Sequence, residues 1–513
     1  MTSLVHTDTG VVDKIATGIP GFDVIAEGGL PRGRVTLVAG TAGSAKTIFS
    51  AHFLAAGISA FGEGGVFVTF EDDPDDIRRN VRGFGWDVAA WEAAGKWAFV
   101  DVSPEQEGPP PVVGQFDLGA LLARIEHAAN RVKATRVVLD SMSALFMTIG
   151  DRALLRTELY RISMALKRAG RTVVFTSERI DDYGDITRFG IEEFVADNVV
   201  LLRNILVEEK RRRTVEILKF RGAPHQRGEV PFTITDEGIV VIPLTAEELT
   251  QKSTTVRIPS GVAELDAMCN GGFFRDSIVL VSGATGTGKT LLVTQFLDGG
   301  FKTDEKCLLF AFEESRDQLA RNAQAWGIDF ARMERDGLLR VVNQYPHAMP
   351  MEDHLVRMGG IVEEFQPMRV AVDSLSALER VFTLRAFREF VITFTSMLKR
   401  RGTAGLFTST TPSLLGGGSV TEKHISTLTD SIILLRYVER FGEMLRSIAV
   451  LKMRGSLHDK RLRQFTIDGE GMHIGEPFRD VSGILSGVHT FVGMEGTTAT
   501  EKSVGDGAHD GGD

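Results

Sequence analysis

The chain has 513 residues, 43% hydrophobic and 25% charged, which is too long for one ordinary core, because compact domains stop growing at roughly 250 residues, and too balanced for a wholly disordered, collagen-like or coiled-coil protein. Lys and Arg number 58 against 68 Asp and Glu, a formal charge of −10 that argues against a dedicated nucleic-acid coat or a polybasic membrane binder. Two cysteines, Cys269 and Cys307, are too few for a disulfide framework or a thiolate metal site and suit buried packing in a reducing compartment.

Met1 to Gly10 lacks the apolar core of a secretory signal, and no run approaches the roughly 20 apolar residues of a membrane span, so a cytoplasmic protein is expected. Arg34-Val-Thr-Leu-Val-Ala39 reads as a strand, a helix starts at Lys46, a strand covers Val66 to Phe70 and a helix covers Asp75 to Phe84. Further strands end at Asp140, at Glu178 and near Arg203. Short β-branched runs alternating with amphipathic stretches predict βαβ units and a mostly parallel sheet.

An internal repeat sets the architecture. Gly40-Thr-Ala-Gly-Ser-Ala-Lys46-Thr47 recurs as Gly283-Ala-Thr-Gly-Thr-Gly-Lys289-Thr290, an offset of 243 residues. Glu71 recurs as Glu313 at 242, and both Arg136-Val-Val-Leu-Asp140 and Lys219-Phe-Arg-Gly222 recur at 233, as Arg369-Val-Ala-Val-Asp373 and Lys452-Met-Arg-Gly455. The shorter offset locates extra length in the first copy at Pro104-Glu-Gln-Glu-Gly-Pro-Pro-Pro111. The halves join near Thr245 to Thr255, giving domains at 1–247 and 248–490, and the Gly-, Thr- and Asp-rich segment 491–513 is expected to be a disordered tail.

A strand running into G-x-x-x-x-G-K-[ST] and then a helix aims backbone N–H groups at phosphate oxygens. The second copy fits fully with Thr285, Gly286, Thr287, Gly288, Lys289 and Thr290. Lys289 is expected on the β/γ-phosphates of ATP and the Thr290 hydroxyl on Mg²⁺. In the first copy, Gly43, Ser44, Lys46 and Thr47 keep the pattern, but Ala45 stands where a glycine belongs. A methyl group there is harmless if the position is already helical and costly if it needs a glycine-only conformation; the helical case is the expectation. Asp140 and Asp373, at strand ends, read as Mg²⁺-side carboxylates or as caps of the next turn. Glu71 with Asp72 and Glu313 with Glu314 close an earlier strand, where a carboxylate can act as general base. Lys219, Arg221, Lys452 and Arg454 lie too far along the chain to belong obviously to their own phosphate loop, which makes them candidates for a neighbour's nucleotide or ordinary surface charge. Lys210-Arg-Arg-Arg213 reads better as a solvated hairpin with counter-charges Glu208, Glu209 and Glu216 than as a nucleic-acid patch.

Together with Arg78-Arg-Asn-Val-Arg-Gly-Phe-Gly-Trp86-Asp, Pro231-Phe-Thr-Ile-Thr-Asp236, Arg321-Asn-Ala-Gln-Ala-Trp326-Gly and His424-Ile-Ser-Thr-Leu-Thr-Asp430, these landmarks over about residues 14 to 490 resemble the KaiC family of circadian clock proteins. The resemblance implies an α/β fold of two tandem RecA-like P-loop domains, each a mostly parallel β-sheet flanked by helices, in a double-ringed homohexamer. It implies a slow ATPase in the first half, with Glu71 and Asp72 as carboxylate pair and Lys219, Phe220, Arg221, Ala223, His225 and Asp236 around nucleotide. For the second half it implies an autokinase and autophosphatase with Glu313 as proton acceptor and also among the metal-side residues. Lys452, Met453, Arg454, Ser456 and Lys460 complete that site, Trp326 lies on the adenine side, and Ser426 and Thr427 are the phosphate acceptors. The stretch from Val112 to Leu118 is similar to the surface on which KaiB docks. The family's tail, where KaiA acts, is matched only by Ile484 to Thr490, which leaves a KaiA-type partner unsupported. Without the resemblance, His424 to Asp430 reads as a structural strand. A RecA/DnaB-type nucleic-acid motor is the alternative, and the acidic balance weighs against it.

Overall fold

A computed structural model describes residues 12–103, 118–144, 152–207, 209–243, 253–411, 428–440, 442–479, 481–482 and 490–491. They form two compact units that divide at residue 248.

The first unit is built on a nine-stranded sheet. Its parallel part runs, in spatial order, Asn198–Val207, Val35–Gly40, Thr172–Glu178, Ala134–Asp140, Gly64–Thr69 and Trp97–Asp101. Lys210–Phe220, Glu229–Thr235 and Gly238–Val241 extend the Asn198–Val207 side as antiparallel hairpins. Both faces of the parallel part are covered, so its strands read as continuous apolar runs rather than alternating ones. Val35, Leu37 and Ala39 pack with Leu121, Ile125, Leu159 and Ile162 on one face. Val38 packs with Phe49, Phe53 and Val138 on the other. The helix Lys46–Phe61 is buried from Phe49 through Gly57, which places it in the core rather than on the surface.

The second unit repeats this plan. Its sheet order is Leu339–Asn343, Cys307–Ala311, Arg369–Asp373, Ala404–Thr410, Ile278–Gly283, Ser431–Arg440, Glu443–Met453, Arg463–Asp468 and Gly471–Pro477, the first six parallel and the rest antiparallel. The run Lys210 to Arg213 lies in a hairpin, as expected, but Glu216 does not serve it; Glu216 accepts from Arg203 Nη2 at 2.6 Å.

A buried arginine holds the phosphate-loop helix in each unit. Arg136 and Arg369 lie near the start of equivalent strands and are fully buried. Arg369 donates to Glu305 Oε2 at 2.6 Å and to the carbonyls of Pro259 and Phe296, at 2.7 and 3.0 Å. Arg136 does the same with Glu63, Ala16 and Phe53. One guanidinium thus ties the entry segment, the helix and the following turn to the sheet. Both cysteines are buried and free, and burial pushes each thiol up to about 12, so they are packing residues.

Candidate functional site: two phosphate loops at equivalent strand ends

Gly40 and Gly283 end the two central strands, and Lys46 and Lys289 open the helices that follow. Between them the backbone turns through left-handed residues, Gly43 and Ala45 in the first unit and Gly286 and Gly288 in the second. That conformation gathers successive N–H groups around one point, the geometry of an anion nest. Lys46 Nζ lies across its loop, donating to the carbonyls of Gly40 and Thr41 at 3.0 and 3.1 Å, and Lys289 Nζ does so to Gly283 and Ala284 at 3.0 and 2.9 Å. Burial lowers the pKa of both amines, and neighbouring carboxylates oppose the shift.

The helical conformation expected at Ala45 is not the one the structure shows. Ala45 has φ 74° and ψ 29°, next to 104° and 19° for Gly288 at the matching position. An alanine in this region carries about 1–2 kcal/mol of strain that a glycine does not. Ala45→Gly relieves that strain and adds flexibility to the unfolded chain, so steady-state ATPase should change by less than about tenfold, roughly 1.4 kcal/mol of barrier. A larger gain would mean that the strain distorts the nest itself.

Thr290 Oγ1 donates to Asp373 Oδ2 at 2.8 Å, and Thr408 holds the other oxygen. Asp140 is bound in the same way by Thr176 and Thr47. Burial raises the pKa of both aspartates, and the threonine hydroxyls and the loop lysines counter it. Among the described residues no cluster of three or more His, Cys, Asp or Glu could hold a metal ion. The donor pair at each loop is one hydroxyl and one carboxylate oxygen, hard donors of the kind Mg²⁺ takes while keeping most of its waters.

The carboxylates that close the earlier strand differ between the units. In the first, Ser141 Oγ donates to Glu71 Oε1 at 2.9 Å, and desolvation raises the Glu71 pKa, with Glu178, Asp140 and Asp72 adding in the same direction. The Asp72 carbonyl accepts from the Thr69 hydroxyl, and its side chain is exposed. In the second unit Glu313 is ion-paired with Arg380, and Glu314 accepts from Asn322 Nδ2 at 3.0 Å, desolvation raising its pKa. Glu178, which sequence reading treated only as a strand end, pairs in register with Gly40 beside Lys46. It ends an apolar strand as Asp140 does, and that was the available signal.

Strand register places the Lys-x-Arg-Gly residues away from their own loop. Ser431 pairs with Val279 on one side and Met453 on the other, whereas Leu435 pairs with Gly283. Four residues at about 3.3 Å each put Lys452, Met453 and Arg454 about 13 Å down the sheet from the end that carries the nest. Phe220 likewise pairs with Asn198, opposite Thr36, while Leu202 is opposite Gly40. Around this far end Lys219 Nζ donates to the Ala196 carbonyl at 3.1 Å, and the His225 ring lies 5.4 Å from Phe220. Ala223 is buried and Arg221 exposed. Lys452 Nζ donates to the Thr429 carbonyl at 2.7 Å, Arg454 Nη1 lies 3.8 Å from Asp430, Ser456 accepts from Arg257, and Lys460 is exposed. Asp236, in contrast, sits in the turn after Glu229–Thr235, on the nest's end of its sheet. Trp326 caps the helix Arg316–Ala325, half-buried against the core. Ser426, Thr427 and residues 112–117 lie outside the described residues.

A family model for the ATPase KaiC matches residues 15–246 and again 258–478, one match for each half. The chain belongs to the KaiC family. It is 61% identical over 485 residues to circadian clock protein KaiC3 of Synechocystis sp., covering 94% of this chain and 96% of that one. Identity is 52% over 487 residues to circadian clock oscillator protein KaiC of Thermostichus vulcanus, covering 95% and 94%. It is 52% over 498 residues to that of Synechococcus elongatus, covering 97% and 95%. This member of the KaiC family is therefore a tandem clock-type ATPase, and a nucleic-acid motor is not favoured. Among the described residues no helix is long and apolar enough to cross a membrane.

Proposed function

We propose that the chain is a cytoplasmic Ser/Thr autokinase and autophosphatase as well as an ATPase, working with Mg²⁺ in a homohexamer. Domain 1–247 hydrolyses ATP, and domain 248–490 carries the kinase, followed by the tail 491–513. The observation that carries this reading is the register of the strand Ser431–Arg440. It begins at the sheet end remote from its own nest, which supports reading Ser426 and Thr427 as acceptors from the ATP of an adjoining subunit rather than from their own. Lys452 and Arg454 share that end and reach the same neighbour.

The nest and Lys289 bind and orient the phosphates, the lysine as a compact point charge. Thr290 and Asp373 are the residues that would hold Mg²⁺, which when bound draws charge from the β/γ-phosphates. Asp373 must be ionised to do so; burial, which raises its pKa, works against this, and the Thr408 and Thr290 hydroxyls and Lys289 favour the charged form. Glu313 takes the proton from the acceptor hydroxyl. Glu71 and Asp72 do the corresponding work on water in the first domain. Size-exclusion chromatography with light scattering tests the ring: a hexamer is expected in saturating ATP analogue with Mg²⁺, and a monomer under those conditions contradicts it.

The stretch 112–118 is the proposed dock for a KaiB-type partner, which is expected to leave the second domain's chemistry untouched. Phe116→Ala or Asp117→Lys should weaken binding of such a partner in a calorimetric titration without changing autophosphorylation. Unaltered affinity in both variants would remove this assignment.

A further inference from the structure

The first unit's phosphate loop is tethered by a segment that neither the motif nor the repeat singles out. After the strand Thr172–Glu178 the chain folds back over residues 179–190, and Asp182 reaches the loop. Its Oδ1 accepts from the Thr41 hydroxyl at 2.8 Å and from the Asn204 backbone N–H at 3.1 Å. Thr41 directly follows Gly40, and its carbonyl is one of the two that receive Lys46 Nζ.

Asp182 is itself fixed. Its carbonyl accepts from Arg179 Nη1 at 3.0 Å and from Arg203 Nε at 2.9 Å. Arg179 spends its remaining donors on the carbonyls of Asp185 and Gly184, and Arg203 is held by Glu216 and Glu229. Two buried arginines thus clamp the backbone that presents one carboxylate to one hydroxyl. Such an interlocked set resists rotation of the carboxylate, so the hydrogen bond to Thr41 is made without further ordering.

The second unit cannot make this bond. Ala284 occupies the position of Thr41, each directly following the glycine that ends the central strand, and it has no hydroxyl. We infer that Asp182 is a positioning residue for nucleotide binding in the first domain. By holding Thr41 it fixes the start of a loop that carries strain at Ala45, and it makes ATP affinity there depend on the 179–190 segment. That segment exposes Ile180 and Tyr183, 73% and 67% accessible, so whatever rearranges it alters the first domain's affinity for ATP and not the second's.

This rests on the reading that ATP binds at Gly40 to Thr47. The test uses the full chain with Lys289→Ala to silence the second nest, and follows ATP hydrolysis against ATP concentration. Asp182→Ala and Thr41→Val should each raise the apparent KM about ten- to a hundredfold, the range expected for loss of one charge-assisted hydrogen bond, with kcat within about twofold. Because the two side chains act through one bond, the double variant should be no worse than the poorer single one. Asp182→Asn keeps an oxygen that still accepts, though about half as strongly without the charge, and should fall clearly between the parent and Asp182→Ala, which separates lost positioning from a damaged fold. Unchanged KM in both single variants, additive effects in the double, or an Asp182→Asn as impaired as Asp182→Ala would overturn the inference. If the parent with Lys289→Ala shows no saturable hydrolysis while keeping its melting temperature, the ATP-site reading fails instead.

Discussion

Glu313→Gln is expected to lower phosphate incorporation by about 10²- to 10⁴-fold, the contribution of a positioned general base, while ATP binding and ring formation persist. A hydroxyl is a poor nucleophile until its proton is accepted as the γ-phosphoryl arrives. Glutamine keeps the shape of the side chain and removes that acceptance. The ion pair with Arg380 is also lost, but its partners are 40% and 64% exposed, and exposed pairs contribute at most about 1 kcal/mol. A kinetic loss with an unchanged melting temperature therefore identifies Glu313 as base, and an equal loss of ATP affinity would assign it to binding.

The second large effect is on stability. Arg369→Ala removes a fully buried guanidinium and leaves Glu305 and the carbonyls of Pro259 and Phe296 short of a donor. Breaking one side of a buried pair costs about 3–5 kcal/mol. Arg275 still donates to Glu305 at 2.5 Å, which places the cost at the lower end. At about 2–4 °C per kcal/mol for a unit of this size, the melting of the second unit should fall by roughly 6–12 °C. Arg136→Ala should act in the same way on the first unit. Calorimetry resolves the two transitions, and a shift under about 2 °C in both variants would show that the arginines are not structural keystones.

The parallel strands and the phosphate-loop helices were legible because each is a short apolar run that ends at a chemically marked residue, such as Gly40, Asp140 or Asp373. Register was not legible, and it carries much of the site: that Ser431 lies opposite Val279 while Leu435 lies opposite Gly283 is fixed by hydrogen bonding between strands 150 residues apart. The hairpin after Val207 was legible from its charged turn, Lys210 to Arg213 with Glu208 and Glu209, whereas the one after Arg440 carries no comparable charge run. At Ala45 the sequence leaves open whether the position is already helical or needs a glycine-like conformation. The closure of the loop decides instead, because the chain must turn left-handed before Lys46 can start the helix. Asp182 and Arg380 had no periodicity or motif to mark them, and their partners are far away in sequence, at Thr41 and Glu313. The family resemblance, and no local property of the stretch, singled out Ser426 and Thr427.

Transfer between subunits is the central claim, and a mixing experiment tests it most directly. Glu313→Gln subunits keep their acceptors and lack the base; Ser426→Ala/Thr427→Ala subunits keep the base and lack the acceptors. After co-assembly and incubation with ATP and Mg²⁺, mass spectrometry should find phosphate on Ser426 or Thr427 of the Glu313→Gln subunits, because each intact acceptor now meets an intact base across an interface. Co-assembled mixtures that gain no phosphate, from protein whose unmixed parent carries it, would contradict the account, as would a parent that never carries phosphate on either residue.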